Sequence, residues 1–202
     1  MTSFLIQARK DPRAENAFQL SAKWASGQLT SHKVRAFHHA TTVTNTLGHY
    51  VPDIPPQAVA ACLLHAIPKW PQPDTTVHPL VEHQCGPETR LLLRALRAEP
   101  DPVAVPSNDA FKEHLRLLRH MPWLAHTSLA FKIVILQHTL SRPARTSRAL
   151  RGQLARTDQG SQLPYLSQVH ALTTGIVPQP MSDELGRLLE QSSPKTAPAA
   201  SR

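Results

Sequence analysis

Apolar and polar positions along this chain recur with the period of helices, not of strands. Over residues 11–27, Ala14, Ala17, Phe18, Ala22 and Ala25 fall at helical spacing, and Gly27 is placed to end that helix. A polar connection, 28–33, leads to a second predicted helix over 34–47. Its inner stripe is Phe37, Ala40, Val43 and Leu47, and Gly48 reads as its stop. Residues 58–64 form an unbroken apolar block, opened by Pro55 and Pro56 and closed by His65 and then Pro68. This predicts a central core helix ending at His65 or Ile67, with a histidine at its exit. Residues 70–78 read as a proline-rich loop and 77–84 as a short helix. Gly86 and Pro87 open a firmly periodic helix through Leu91, Leu92, Ala95 and Leu96. Three prolines make 99–106 a loop. Ser107 or Asn108 caps a helix carrying Phe111, Leu115 and Leu118. Pro122 opens the next helix, whose run 129–136 is apolar almost all round and so belongs at the centre. Segments 163–172 and 181–189 predict closing helices. No strand alternation and no internal repeat is evident, so the predicted class is all-α. It forms one domain over 1–190, followed by a tail over 191–202 that is disordered by composition.

Composition narrows the function classes. The 202 residues are 41% hydrophobic and 18% charged, ordinary for a globular domain with a sizeable core. No apolar run approaches the roughly 20 residues that cross a bilayer, and the apolar stretch near the N-terminus is short for a secretory signal. The expected setting is the cytoplasm, without a membrane partner. Cys62 and Cys85 have no metal-motif spacing, and Cys62, inside the apolar block, reads as a small buried hydrophobe. The formal charge of +8 favours anionic partners, such as nucleotides, nucleic acid or acidic protein surfaces. An arginine bias from a high-GC genome accounts for the same number.

The order of segments is more specific. Gly27-Gln28 is followed eleven residues later by His39, with Val43 four further on. Then come Ala58-Val-Ala-Ala-Cys-Leu-Leu-His65, Cys85-Gly86-Pro-Glu-Thr-Arg, and Phe131-Lys132-Ile133 leading to Leu140. In order and spacing these resemble the hydrolase domain of the RelA/SpoT alarmone family, over about residues 14–172. The resemblance implies an HD-domain-like helical bundle. In that family two histidines and two aspartates hold one metal ion, typically manganese, which activates water against a phosphate ester. His39 and His65 stand at the histidine positions. Ala66 and Ile135 stand where the aspartates belong. The family's Glu-Asp pair becomes Lys69 and Trp70, its late asparagine becomes Thr139, and its guanine-contacting arginine becomes Thr30. Alanine and isoleucine cannot ligate an ion. A lysine in place of a carboxylate opposes a bound cation by roughly several kcal/mol at an effective dielectric of about 20. The resemblance therefore implies a degenerate metal site with no cofactor, and Mn2+ at His39 and His65 only if other ligands have been recruited.

The candidate ligand-binding residues are His39, His65, Lys69 and Arg142. Lys69 beside two histidines turns a cation site into an anion site on this reading. On the bland reading it reaches solvent from a loop, and His65 does no more than bond a backbone carbonyl. His38 and His39 point about 100° apart on a helix, so only His39 faces the site. His138, three residues after Ile135, is a possible substitute ligand. Asp109, Glu113 and His114 read as a solvated, capped helix face. Arg142, Arg145, Arg148, Arg151 and Arg156 read either as phosphate contacts or as plain surface, with no interleaved aromatics for base stacking. No GxGxxG, P-loop, GxSxG or HExxH motif is present. Three functions follow. The first is a degenerate HD-domain protein binding an anionic nucleotide or a protein partner in regulation. The second is an active pyrophosphohydrolase of phosphorylated guanosine nucleotides with rearranged ligands. The third is a basic, nucleic-acid-associated protein.

Overall fold

The protein is described by a computed structural model over residues 4–99, 108–141 and 162–193. Ten helices run through these residues. They are α1 (Phe4–Ala8), α2 (Pro12–Trp24), α3 (Ala36–Tyr50), α4 (Pro56–His65), α5 (Asp74–Cys85), α6 (Pro87–Arg97), α7 (Asn108–His120), α8 (Pro122–Leu140), α9 (Gln162–Thr173) and α10 (Gln179–Ser192). The described residues contain no strand, only isolated bridges such as the one between Leu29 and Arg35. The class is all-α.

The middle of the bundle follows from the 58–64 block. Every residue from Ala58 to Leu64 on α4 is at most 1% exposed, because α2, α3, α6 and α8 pack around it. Full burial of a leucine such as Leu63 or Leu64 contributes about 1.5–3 kcal/mol, so this short helix anchors a large part of the core. Cys62 lies inside it as an ordinary buried side chain, and its thiol is pushed up to about 12 by burial. Ser21 Oγ on α2 donates to the Leu63 carbonyl at 3.1 Å and satisfies its own buried hydroxyl there. The apolar α8 is the second inner helix, against α3 and α10.

Helix starts follow local chemistry. Asp11 caps α2 by accepting the Arg13 backbone N–H at 2.8 Å, and prolines occupy the first turns of α2, α4, α6 and α8. Gly86, at φ 95°, makes the sharp corner from α5 into α6 that a side chain would strain.

Three local expectations are corrected. Gly48 does not stop a helix, since α3 runs on to Tyr50. A Cβ there would lie 2.1 Å from the Phe4 ring, so the glycine is the seat for α1, a helix the pattern did not reveal. Leu5 N donates to Asn45 Oδ1 at 3.2 Å in the same docking. The proline-rich loop is shorter than predicted, because α5 already begins at Asp74 and carries Pro79 within it. α10 reaches Ser192, past the boundary drawn at 190. The predicted loop from 100 on, the arginine stretch from Arg142 to Arg156 and the tail from 194 lie outside the described residues.

Candidate functional site

Four elements converge where the resemblance puts a metal. His39 comes from the first turn of α3 and His65 from the last residue of α4. Phe131 and Ile135 lie one turn apart on α8, and the loop 66–73 follows α4. His38 is exposed while its neighbour His39 is half-buried, as the 100° step between them dictates.

Phe131 packs against both imidazoles. It meets His65 edge to face, with 4.5 Å between ring centroids at 87°, and lies 5.8 Å from the His39 ring. The phenyl group is 8% exposed, so it belongs to the core as much as to the site. Burial lowers the His39 imidazole to about 4, helped by repulsion from His32, His138 and His38. Burial likewise lowers His65 to about 4, against the pull of Glu99 and with the push of Arg97, Lys132 and His39. Both rings are neutral at pH 7, and His65 Nδ1 is buried without a hydrogen-bond partner.

Most of the remaining positions of the resemblance are packed into the fold. Ala66 is buried and Ile135 half-buried. Trp70 is 6% exposed, with the Arg97 guanidinium 3.9 Å above its ring and the His78 ring packed edge to face at 5.3 Å between centroids. Arg97 Nη1 donates to the Ile67 carbonyl at 3.2 Å and pins the same loop. Thr139 donates back to the Ile135 carbonyl at 2.8 Å. Lys69 presents its side chain to solvent, while the Gln28 amide grips its backbone from both sides. Gln28 Nε2 donates to Lys69 O at 2.7 Å, and Lys69 N donates to Gln28 Oε1 at 3.0 Å. The Gly-Gln pair singled out in the sequence thus has a structural task here, tying the α2–α3 connection to the loop after α4. Arg142 lies outside the described residues. Among the described residues no three His, Cys, Asp or Glu side chains are placed to hold a metal ion. With no donor on Ala66 or Ile135, the described residues around His39 and His65 do not fit a four-ligand manganese site.

A second polar cluster escaped the sequence reading. Lys132, 6% exposed on α8, donates from Nζ to Glu99 Oε1 at 2.6 Å and to Ser128 Oγ at 2.7 Å. The Tyr165 hydroxyl of α9 donates to the same Glu99 oxygen. His114 on α7 is 2% exposed, and both its ring nitrogens are buried without a partner. It therefore does not belong to the solvated face predicted with Asp109 and Glu113, which are exposed. The available signal was Lys132 itself, because a lone lysine within an apolar helical run is rarely buried unless an acid meets it.

No known family's sequence profile matches the chain, and no curated protein matches its sequence. Among solved structures it is similar to a metazoan orthologue of SpoT that hydrolyses ppGpp. The TM-score is 0.61 at 14% identity, covering 90% of this chain and 96% of that one. At that identity the likeness speaks to the fold, and the described chain has the all-helical fold of a SpoT-type HD hydrolase domain.

Proposed function

We propose that this protein is a catalytically degenerate member of the ppGpp-hydrolase fold that acts in regulation by binding, without metal-dependent hydrolysis. The observation that carries this reading is the Phe131 ring packed against both His39 and His65. A shared ion needs a nitrogen of each ring within about 2 Å of one point, with two further ligands around it. Here a phenyl group occupies the neighbourhood of both rings, and Ala66 and Ile135 supply no oxygen. Two neutral imidazoles also give a phosphate no net charge to bind at pH 7. An anionic nucleotide at this end of the bundle would depend on exposed cations such as Lys69. Of the two occupants considered, the site chemistry therefore favours the protein partner.

The test is elemental analysis of purified protein after manganese loading, paired with a ppGpp hydrolysis assay and a thermal shift against ppGpp. The expected outcome is manganese far below one equivalent, no pyrophosphate release and no stabilisation by the nucleotide. One equivalent of manganese that disappears in His65→Ala would overturn the reading. Stabilisation by ppGpp that is lost in Lys69→Glu would move the function to nucleotide binding.

A further inference from the structure

A cleft of about 470 Å3 opens between the C-terminal end of α2 and the 28–36 connection. That volume is within the range of functional ligand sites. Its walls are Ala22, Ala25, Leu29 and Phe37, with Gln28 and Arg35 as the larger polar residues. Neither His39 nor His65 lines it. We propose that this cleft docks a segment of a partner protein in which one large apolar side chain is flanked by carboxylates.

Four observations converge on that occupant. The first is the apolar lining. Leu29 is 54% exposed, one of the few large apolar side chains left in solvent among the described residues, and it stands at the cleft.

The second is that Gln28, the larger uncharged polar group of the lining, is already spent, and Ser26 adds only one small hydroxyl. Gln28 uses its amide on Trp24 O at 2.6 Å and on both backbone groups of Lys69. This leaves Arg35 as the charged group at the wall, so recognition here is by charge and apolar contact and not by a hydrogen-bond pattern. Such chemistry suits a class of acidic segments better than one small molecule.

The third is charge. Arg35 lines the cleft, Lys23 and Lys33 are exposed on the two elements that form it, and Lys69 is exposed on the loop bonded to Gln28. From residue 16 to residue 73 the chain carries a single carboxylate, Asp53. Asp53 lies beyond the far end of the 15-residue α3, roughly 22 Å away along its axis. The surface is therefore complementary to an acidic partner.

The fourth is the shape of the connection. It is closed by Thr30 N to Val34 O at 2.8 Å, Lys33 N to Thr30 O at 2.9 Å and Ala36 N to Gln28 O at 3.0 Å. Lys33 takes φ 60° in this turn, a conformation that glycine would adopt without strain. The turn therefore carries a cation at its tip in a conformation that costs a side chain some strain. A nucleic acid fits less well. Phe37 is already engaged edge to face with Phe18 at 5.2 Å, and no exposed aromatic ring lines the cleft for a base to stack on.

The inference rests on the reading that the protein works by binding, but it does not depend on the fate of the histidine site. Manganese content and ppGpp hydrolysis therefore test that reading separately. The experiment is selection of a random-peptide display library on the full chain, with the enriched peptides then measured by fluorescence anisotropy. The expected peptides carry one Leu, Ile, Met or Phe flanked by Asp or Glu. Their affinity falls about tenfold in Leu29→Ser and in Arg35→Gln, and falls with added salt. Lys33→Gly is the diagnostic variant, expected to raise the melting temperature while weakening peptide binding. A purely structural role for Lys33 would leave binding unchanged. No enrichment, or enriched peptides that ignore all three variants, would overturn the proposal. So would a single-stranded RNA oligomer that binds the chain and is released by the same substitutions.

Discussion

At the scale of single residues, the internal electrostatics predict how stability depends on pH. His39 and His65 titrate at about 4 in the fold against 6.5 when unfolded, so the unfolded chain takes up their protons first as pH falls. Stability is therefore lost between about pH 6.5 and 4. Glu99 extends the loss. Burial alone would raise its carboxyl, but Lys132, His114 and the bonds from Lys132 and Tyr165 hold it at about 2, below its ordinary 4.5. A depressed acid contributes its stability above the unfolded value, and that stability goes as pH falls from about 4.5 toward 2. Lys132→Met separates the two windows. It leaves the Glu99 carboxylate largely enclosed without its cation, which costs roughly 3–5 kcal/mol near neutral pH. The same change lets burial raise Glu99, so the variant recovers ground on the wild type as the acid becomes protonated. Urea denaturation of both proteins from pH 7 to pH 3 checks this. Parallel curves across that range would mean that Glu99 is not held by Lys132.

At the scale of elements, the helix period was legible and the glycine logic was only partly so. α4, α6 and α8 could be drawn from apolar spacing and their opening prolines, because local pattern alone fixes a buried helix. Gly48 could not be read in the same way. A glycine near a helix end looks the same in sequence whether it stops the helix or gives a neighbour room, and here the neighbour is Phe4, more than forty residues earlier. This distinction makes a sign prediction. In the wild type, Gly48→Ala collides with the Phe4 ring and undocks α1, and the melting temperature falls. In a Phe4→Ala background the same substitution no longer meets the ring and gains the helix propensity of alanine, about 1 kcal/mol. Thermal unfolding of the four proteins in this cycle reads the reversal directly. Destabilisation by Gly48→Ala in both backgrounds would remove Phe4 as the cause.

At the scale of the whole molecule, fold and site separate cleanly. The all-helical class and the order of segments were visible because they depend on packing stripes distributed along the chain. That Ala66 and Ile135 bear no metal donors was visible too, since residue identity alone decides it. The Phe131 plug and the Glu99–Lys132–Tyr165 cluster were not, because each is made by residues far apart in sequence meeting in the core. If the scaffold has kept the geometry of its structural neighbour and only the site has changed, the site can be rebuilt. The variant Ala66→Asp with Ile135→Asp and Phe131→Val restores two carboxylates and opens the space beside His39 and His65. Without metal it should be less stable than the wild type, since two carboxylates now face each other and an aromatic has been trimmed. The trimming costs no more than the roughly 3–5 kcal/mol of a full phenylalanine truncation. Manganese should restore much of that loss, because an ion that binds only the folded state stabilises it by about 2.7 kcal/mol at a hundredfold excess over its dissociation constant. The wild type should show no such response. A rebuilt variant whose melting temperature ignores manganese would mean that the helices bearing His39, His65 and residue 135 no longer converge as the resemblance requires, and that the divergence reached the scaffold itself.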